Sequence, residues 1–184
     1  MRSYERRLPH GDTVGQPIFV TFRLHDSLPG SRVFPPARLT GGKAFVAMDK
    51  LLDQARTGPF FLRQPEIANV VASALYHGEQ KFHRYQLHSY IVMPNHVHML
   101  VTPTIASPKW LGPLKGFCAH ECNRILDRAG QAFWQDESYD HLVRSELEFG
   151  RIQRYIEQNP VTAGLALTAE QFPWSSAFGR ENAA

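Results

Sequence analysis

Tyr85-Gln86-Leu87-His88-Ser89-Tyr90-Ile91-Val92-Met93-Pro94-Asn95-His96-Val97-His98-Met99-Leu100-Val101 is the most strand-like run of the chain. Aromatic and β-branched residues dominate it, and Met93-Pro94-Asn95 interrupts it. That pattern predicts two antiparallel strands joined by a hairpin turn. Side chains alternate along a strand, so His96 and His98 share one face. Val97, Met99 and Val101 share the other and point toward a core.

Working outward, Ile18 to Leu24 reads as a first strand and Leu28 to Gly42 as a loop rich in Pro and Gly. A helix is predicted from Lys43 to Arg56, with Phe45, Met48, Leu52 and Ala55 on one face. A second starts at Pro65, carries Ile67, Val70, Val71, Ala74 and Leu75 as its apolar stripe, and stops at Gly78. A long helix follows over 113–128. Extended pieces come next around Ala132 to Trp134 and Tyr139 to Val143. A last helix spans 146–158 and ends before Pro160. Residues 161–184 form a tail packed by Leu165, Phe172 and Trp174. The order fits an α+β sandwich, with helices packed on one face of an antiparallel sheet.

At 184 residues, with 43% hydrophobic and 20% charged residues, the chain suits one domain over 1–184. Its core falls at about 15–165 and its tail at 166–184. No apolar run reaches the roughly 20 residues of a membrane span. The opening Met1 to His10 has arginines but no apolar stretch behind them, unlike a secretory signal. Two cysteines exclude a disulfide scaffold and fit a reducing compartment. A net charge of +3 and a pI near 9.0 permit an anionic partner without requiring one.

Two elements can carry chemistry. The same-face imidazoles of His96 and His98 are spaced to share one metal ion. The alternative is a pair of partly exposed strand histidines. Tyr155 and Asn159, one turn apart, lie on one helix face. A tyrosine hydroxyl can act as a covalent nucleophile, and an amide oxygen can join a metal's shell. The alternative is a packed tyrosine before a proline stop. Cys118 and Cys122 share a helix face while His120 points away, so the three do not form one zinc site. A zinc deaminase would need His-x-Glu paired with Cys-x-x-Cys, and no such pair is present.

Together these elements resemble the single-tyrosine HUH nucleases, in which a hydrophobic residue, here Val97, separates the two histidines. The longer ordered string is more specific. It comprises Phe19 to Leu24, Phe60 to Arg63, Tyr90 to Val101, Leu114-Lys115-Gly116 and Phe133-Trp134-Gln135. It continues with Tyr139-Asp140-His141, Arg144, Tyr155-Ile156, Asn159-Pro160-Val161, Ala163 to Leu165 and Pro173 to Ser176. That string resembles the REP-associated tyrosine transposases over about Tyr4 to Ala177.

The resemblance implies a ferredoxin-like (RRM-like) fold and action on single-stranded DNA with hairpins of the REP type, short extragenic palindromes. It implies His96 and His98 as metal ligands and Tyr155 as the nucleophile. Asn159 falls where insertion-sequence relatives place a glutamine ligand. Attack by Tyr155 would leave a 5′-phosphotyrosine and a free 3′ hydroxyl. Mg²⁺ is the expected ion, with Mn²⁺ able to substitute, and imidazole's poor match to Mg²⁺ predicts weak binding. Asp140 or His141 would orient a ligand histidine. Lys115 would face phosphates. Arg2, Arg6, Arg7, Arg23 and Arg63 are candidates for the hairpin backbone, and Trp110 and Trp134 for base stacking. The expected location is the cytoplasm, at the nucleoid, with monomer and homodimer both open. Two other functions stay open. One is a catalytically silent binder of structured DNA or RNA. The other is a zinc hydrolase, which needs a carboxylate or a third histidine, such as His88 or His141, close to His96 and His98.

Overall fold

The computed structural model describes residues 14–28, 49–53, 55 and 57–180. Its strands are β1 (Ile18–Leu24), β2 (Tyr85–Val92), β3 (His96–Pro103) and β4 (Trp134–Leu142). Residues 49–53 are helical and are called α1 here. The other helices are α2 (Pro65–Gln80), α3 (Ser107–Ile125) and α4 (Glu146–Thr162). The strands form one antiparallel sheet in the order β2-β3-β1-β4. β1 lies inside it, and every β1 residue except Arg23 is buried. A strand covered on both faces reads as a nearly continuous apolar run, which is why Ile18 to Leu24 is legible from sequence.

Val20 and Phe22 of β1 and Val97, Met99 and Val101 of β3 pack in one core with Val71 and Leu75 of α2 and Leu114 and Cys118 of α3. So α2 and α3 cover one face, as expected. The opposite face is also covered. There Phe19, Ile91 and Leu100 meet Ile156 of α4, Leu52 of α1 and Phe172. His96 and His98 point into this second layer, so they are fully buried and not partly exposed.

The hairpin turn falls at residues 93–95, between β2 and β3. Several boundaries differ from the sequence expectation, beginning with α2, which runs two residues past Gly78 to Gln80. Helix α3 starts at Ser107, because Pro108 is the first-turn proline and Pro113 lies inside the helix. An internal proline forfeits one ladder bond. The buried stripe of Trp110, Leu114, Cys118 and Cys122 continues across it. Helix α4 likewise runs through Pro160, near enough to its end that the amide of Ala163 still reaches the Asn159 carbonyl. The two extended pieces after α3 are one strand, β4, whose register against β1 shifts between Phe22 and Leu24. Most of the predicted 43–56 helix, and residues 29–42, lie outside the described residues.

Beyond α4 the chain returns to the outer edge of β2. The Val92 amide donates to the Trp174 carbonyl, and the Ser176 amide to that of Tyr90. Phe172 packs this return, but Leu165 is exposed and does not. Trp110 and Trp134 are both core residues, not base-stacking platforms. Trp110 packs edge-on to Tyr85. The indole N–H of Trp134 donates to the Lys115 carbonyl.

Gly78 marks the tightest contact between α2 and β2. A Cβ there would stand 2.1 Å from the Tyr85 hydroxyl oxygen. That ring cannot swing away, since it is buried against Trp110 and its hydroxyl donates to the Leu75 carbonyl at 2.8 Å. Gly78→Ala is therefore expected to destabilise the protein by about 3 kcal/mol through overpacking, read by urea unfolding. An unchanged midpoint would mean that Tyr85 has room to move.

Candidate active site

The centre of the site is the start of β3. His96 Nε2 and His98 Nε2 lie 3.1 Å apart. Their other nitrogens are held by the neighbouring structure. Asn95 Nδ2 donates to the Leu52 carbonyl, so Asn95 Oδ1 is left as an acceptor. It takes the Nδ1–H of His96 at 2.7 Å. Thr21 Oγ1 stands 2.7 Å from His98 Nδ1 and can accept in the same way. With both Nδ1 atoms engaged, both Nε2 lone pairs face a common point, as in imidazoles that bind a metal while the other ring nitrogen is hydrogen-bonded. Burial pushes the His96 pKa down to about 3, helped by the charge of His98 and opposed by that of Asp49. A neutral imidazole is the form that ligates metal.

Helix α1 adds two carboxylates. Asp49 Oδ1 lies 3.0 Å from His98 Nε2 and 3.6 Å from His96 Nε2. Asp53 Oδ1 lies 4.0 Å from His96 Nε2. Burial by itself would raise the Asp49 carboxyl. The charges of His98 and His96 and a hydrogen bond from Asn159 outweigh it and hold that carboxyl below its usual range. Burial, then the charge of Asp49, pushes the Asp53 carboxyl up to about 7.

A carboxyl raised on folding contributes stability that is fully present below its unfolded pKa and lost as pH rises through about 7. The metal-free protein should therefore lose stability relative to Asp53→Asn between about pH 4 and 7. Thermal melts of the two proteins in chelator across that window check the sign.

Helix α4 supplies the remaining groups. Its N-cap Ser145 accepts from the Glu148 amide, which starts the helix there. Three turns on, the Tyr155 hydroxyl is buried, and its ring centroid lies 5.8 Å from that of His98. The Phe19 ring packs edge-on against Tyr155 at 6.2 Å. Asn159, one turn further along the helix, is buried and reaches Asp49.

A divalent cation fits these residues. Asp49 Oδ1, Asp53 Oδ1 and Asn159 Oδ1 are buried without a hydrogen-bond partner among the described residues. Buried oxygens in that state are costly unless something positive meets them. Asp49, His96 and His98 also bring ligand atoms within 4.8 Å of one another.

The structure thus brings together His96, His98, Tyr155 and Asn159. It does not bring Asp140 or His141 to them. Asp140 pairs with Val20 and so lies on the far sheet face. His141 shares the near face, but its Nε2 meets Glu148 Oε1 at 2.8 Å. The groups that orient the histidines are Asn95 and Thr21. Neither His88 nor His141 is the third donor, since His88 Nε2 meets Thr102 Oγ1. The carboxylate of Asp49 stands beside the two histidines instead. Cys118 and Cys122 are free thiols in the other core.

Among the basic candidates, Arg23 pairs with His96 in register and lies on the site's face, half-buried and donating to Ser27. Arg63 is exposed beside the Phe60 ring. Arg2, Arg6 and Arg7 lie outside the described residues.

Lys115 faces inward, against the expectation that it meets phosphates. Its Nζ donates to the Gln135 and Asp136 carbonyls and to Ser138 Oγ, clasping α3 to β4. Lys115→Met should cost about 2 kcal/mol of stability, the scale of lost charge-assisted bonds. It should leave the salt dependence of DNA binding unchanged. A shallower salt slope with normal stability would restore the phosphate role.

The fold is shared with a solved structure described as a REP-associated tyrosine transposase bound to a REP hairpin. The match has a TM-score of 0.58 at 16% identity, covering 96% of this chain and 82% of that one. A second solved structure, described as a transposase from Deinococcus radiodurans R1, matches with a TM-score of 0.47 at 17% identity. It covers 86% of this chain and 97% of that one. No curated protein matches. The fold and the site define an α+β protein of the transposase type, with a tyrosine-bearing helix over a two-histidine strand. The sequence profile described as "Transposase IS200 like" matches residues 63–159. The chain belongs to that IS200-like transposase family. No helix among the described residues is long and apolar enough to cross a membrane.

Proposed function

We propose that this transposase-family protein nicks and rejoins single-stranded DNA at REP-type hairpins, through a 5′-phosphotyrosine on Tyr155. It would act in the cytoplasm, at the nucleoid. The observation that carries the reading is the meeting of Tyr155 with the His96–His98–Asp49 cluster, ring against ring with His98 at 5.8 Å. These groups come from one chain, which supports a site complete in a monomer. The whole of 1–184 is taken as one transposase domain. Two observations support the hairpin as substrate. The transposase of the same fold is described with a REP hairpin bound, and the REP-type motif string runs through most of this chain.

In the reaction, Arg23 lies on the site's face across from His96 and would receive the DNA backbone near the scissile phosphate. His96, His98, Asp49 and Asn159 would hold a divalent cation, Mg²⁺ or Mn²⁺, whose chemistry there would be Lewis-acid polarisation of that phosphate. Phe19 and His98 fix the Tyr155 ring, so its hydroxyl needs little reorientation to attack. The phenolic oxygen bonds to phosphorus as the phenol gives up its proton. The P–O3′ bond breaks, and the 3′ oxygen leaves and takes up a proton. The phosphotyrosine keeps the energy of the broken bond, so a 3′ hydroxyl can attack it and reseal the strand. Burial around Tyr155 excludes water, which protects the intermediate from hydrolysis.

The test is incubation of hairpin-bearing single-stranded DNA with Mg²⁺ or Mn²⁺, followed by a denaturing gel. A protein–DNA adduct that EDTA abolishes is expected. Hairpin binding without an adduct under either ion would leave a structure-specific binder.

A further inference from the structure

We propose that Asp53 is a direct metal ligand, the second carboxylate of a His96–His98–Asp49–Asp53 centre. This rests on the reading that the histidine pair and Asp49 hold a divalent cation. Asp49 and Asp53 are one helical turn apart, so α1 presents both on one face. Both Oδ1 atoms are buried and lack a hydrogen-bond partner among the described residues. Both face the same atom, His96 Nε2, at 3.6 and 4.0 Å. Side-chain exposure is 4% for Asp49 and 16% for Asp53, so water replaces little of what a cation would supply. Asn159, itself 3% exposed, adds a third unpartnered oxygen.

The spacings suit one six-coordinate ion. With bonds of about 2.1 Å, neighbouring donors stand ~3 Å apart and opposite donors ~4.2 Å apart. His96–His98 at 3.1 Å and Asp49–His98 at 3.0 Å have the separation of neighbours. Asp53 Oδ1 stands 4.0 Å from His96 Nε2 but outside the close group of Asp49, His96 and His98, so it would join the shell by rotating its side chain. Two carboxylates also cancel the charge of a divalent ion. Without it, burial and the charge of Asp49 hold the Asp53 carboxyl toward its neutral form.

Two consequences follow. Two carboxylates and an amide oxygen make a hard donor set, so binding is tighter than two imidazoles alone allow, with Mn²⁺ well suited to the mixture of nitrogen and oxygen. Two histidines, two aspartates and Asn159 fill five positions of an octahedron. One remains, enough for a single phosphate oxygen and no bidentate group.

The test uses Mn²⁺ and the full chain. Electron paramagnetic resonance titration gives the affinity, and line broadening in ¹⁷O-enriched water counts the bound waters. Asp53→Ala is expected to bind Mn²⁺ at least tenfold more weakly and with one more water than wild type. Because the water count reads the ion's own shell, a charge acting at a distance would not move it. Mn²⁺ bound with an unchanged count overturns the proposal, whatever the affinity. A wild type that binds no Mn²⁺ overturns the metal reading along with it. The Tyr155 adduct assay then reports separately whether tyrosine chemistry survives.

Discussion

Tyr155→Phe is expected to abolish the protein–DNA adduct and lower strand cleavage by at least about 10³-fold, while hairpin affinity changes less than twofold. The asymmetry follows from what one oxygen does. A covalent route depends on its nucleophile, and the other hydroxyl beside the histidines among the described residues, Thr21 Oγ1, is engaged at His98 Nδ1. The ring is what packs, against Phe19 and His98. Phenylalanine keeps that ring, so α4 and the histidines hold their positions. Mn²⁺ affinity is unchanged as well. Gel detection of the adduct, fluorescence anisotropy on the hairpin and a Mn²⁺ titration measure the three quantities. An adduct persisting in Tyr155→Phe would move the nucleophile to another residue. Loss of hairpin binding would give Tyr155 a recognition role.

Asp49→Ala acts on metal and fold together. Ligand-supporting groups alone cost 10- to 100-fold in metal affinity when lost, so removing a ligand should cost about 100-fold or more. The fold also suffers, because Asp49 contacts His98 at 3.0 Å and takes a hydrogen bond from Asn159. Removing one member of a buried pair leaves the others uncompensated, at about 3 kcal/mol. In compensation, the Asp53 carboxyl loses the neighbouring charge that raises it and shifts back toward its ordinary range. Mn²⁺ titration and chemical unfolding in chelator separate the two losses. Wild-type metal affinity in Asp49→Ala would leave the histidines with Asn159 as the ligand set expected from sequence. Wild-type stability would mean that the buried contacts of Asp49 contribute little.

The active-site architecture was legible where local geometry fixes it. The alternation of a strand puts His96 and His98 on one face and Val97 and Met99 on the other, with no knowledge of the rest of the chain. The helical repeat puts Tyr155 above Asn159 in the same way. Those two relations, with the hairpin signal at Met93-Pro94-Asn95, are what the sequence determined by itself. The proline signals were less reliable. A proline in the middle or last turn of a helix loses a single bond, and a buried stripe can outweigh that loss, as at Pro113 and Pro160.

Only the tertiary structure decided which distant groups join these pairs. Asp49 and Asp53 resemble any helical acids spaced one turn apart until α1 docks beside His96, where the Asn95–Leu52 bond ties the two segments. Thr21 reaches His98 across 77 residues of chain because β1 pairs with β3. Lys115 turns inward because β4 offers it two carbonyls and a hydroxyl. Asp140 and His141 adjoin in sequence, but the pleat sends them to opposite faces, and neither reaches the histidines. The physical reason is the range of the forces. Backbone torsions fix neighbours two to four residues apart, whereas burial and charge pairing act between segments that only packing brings together.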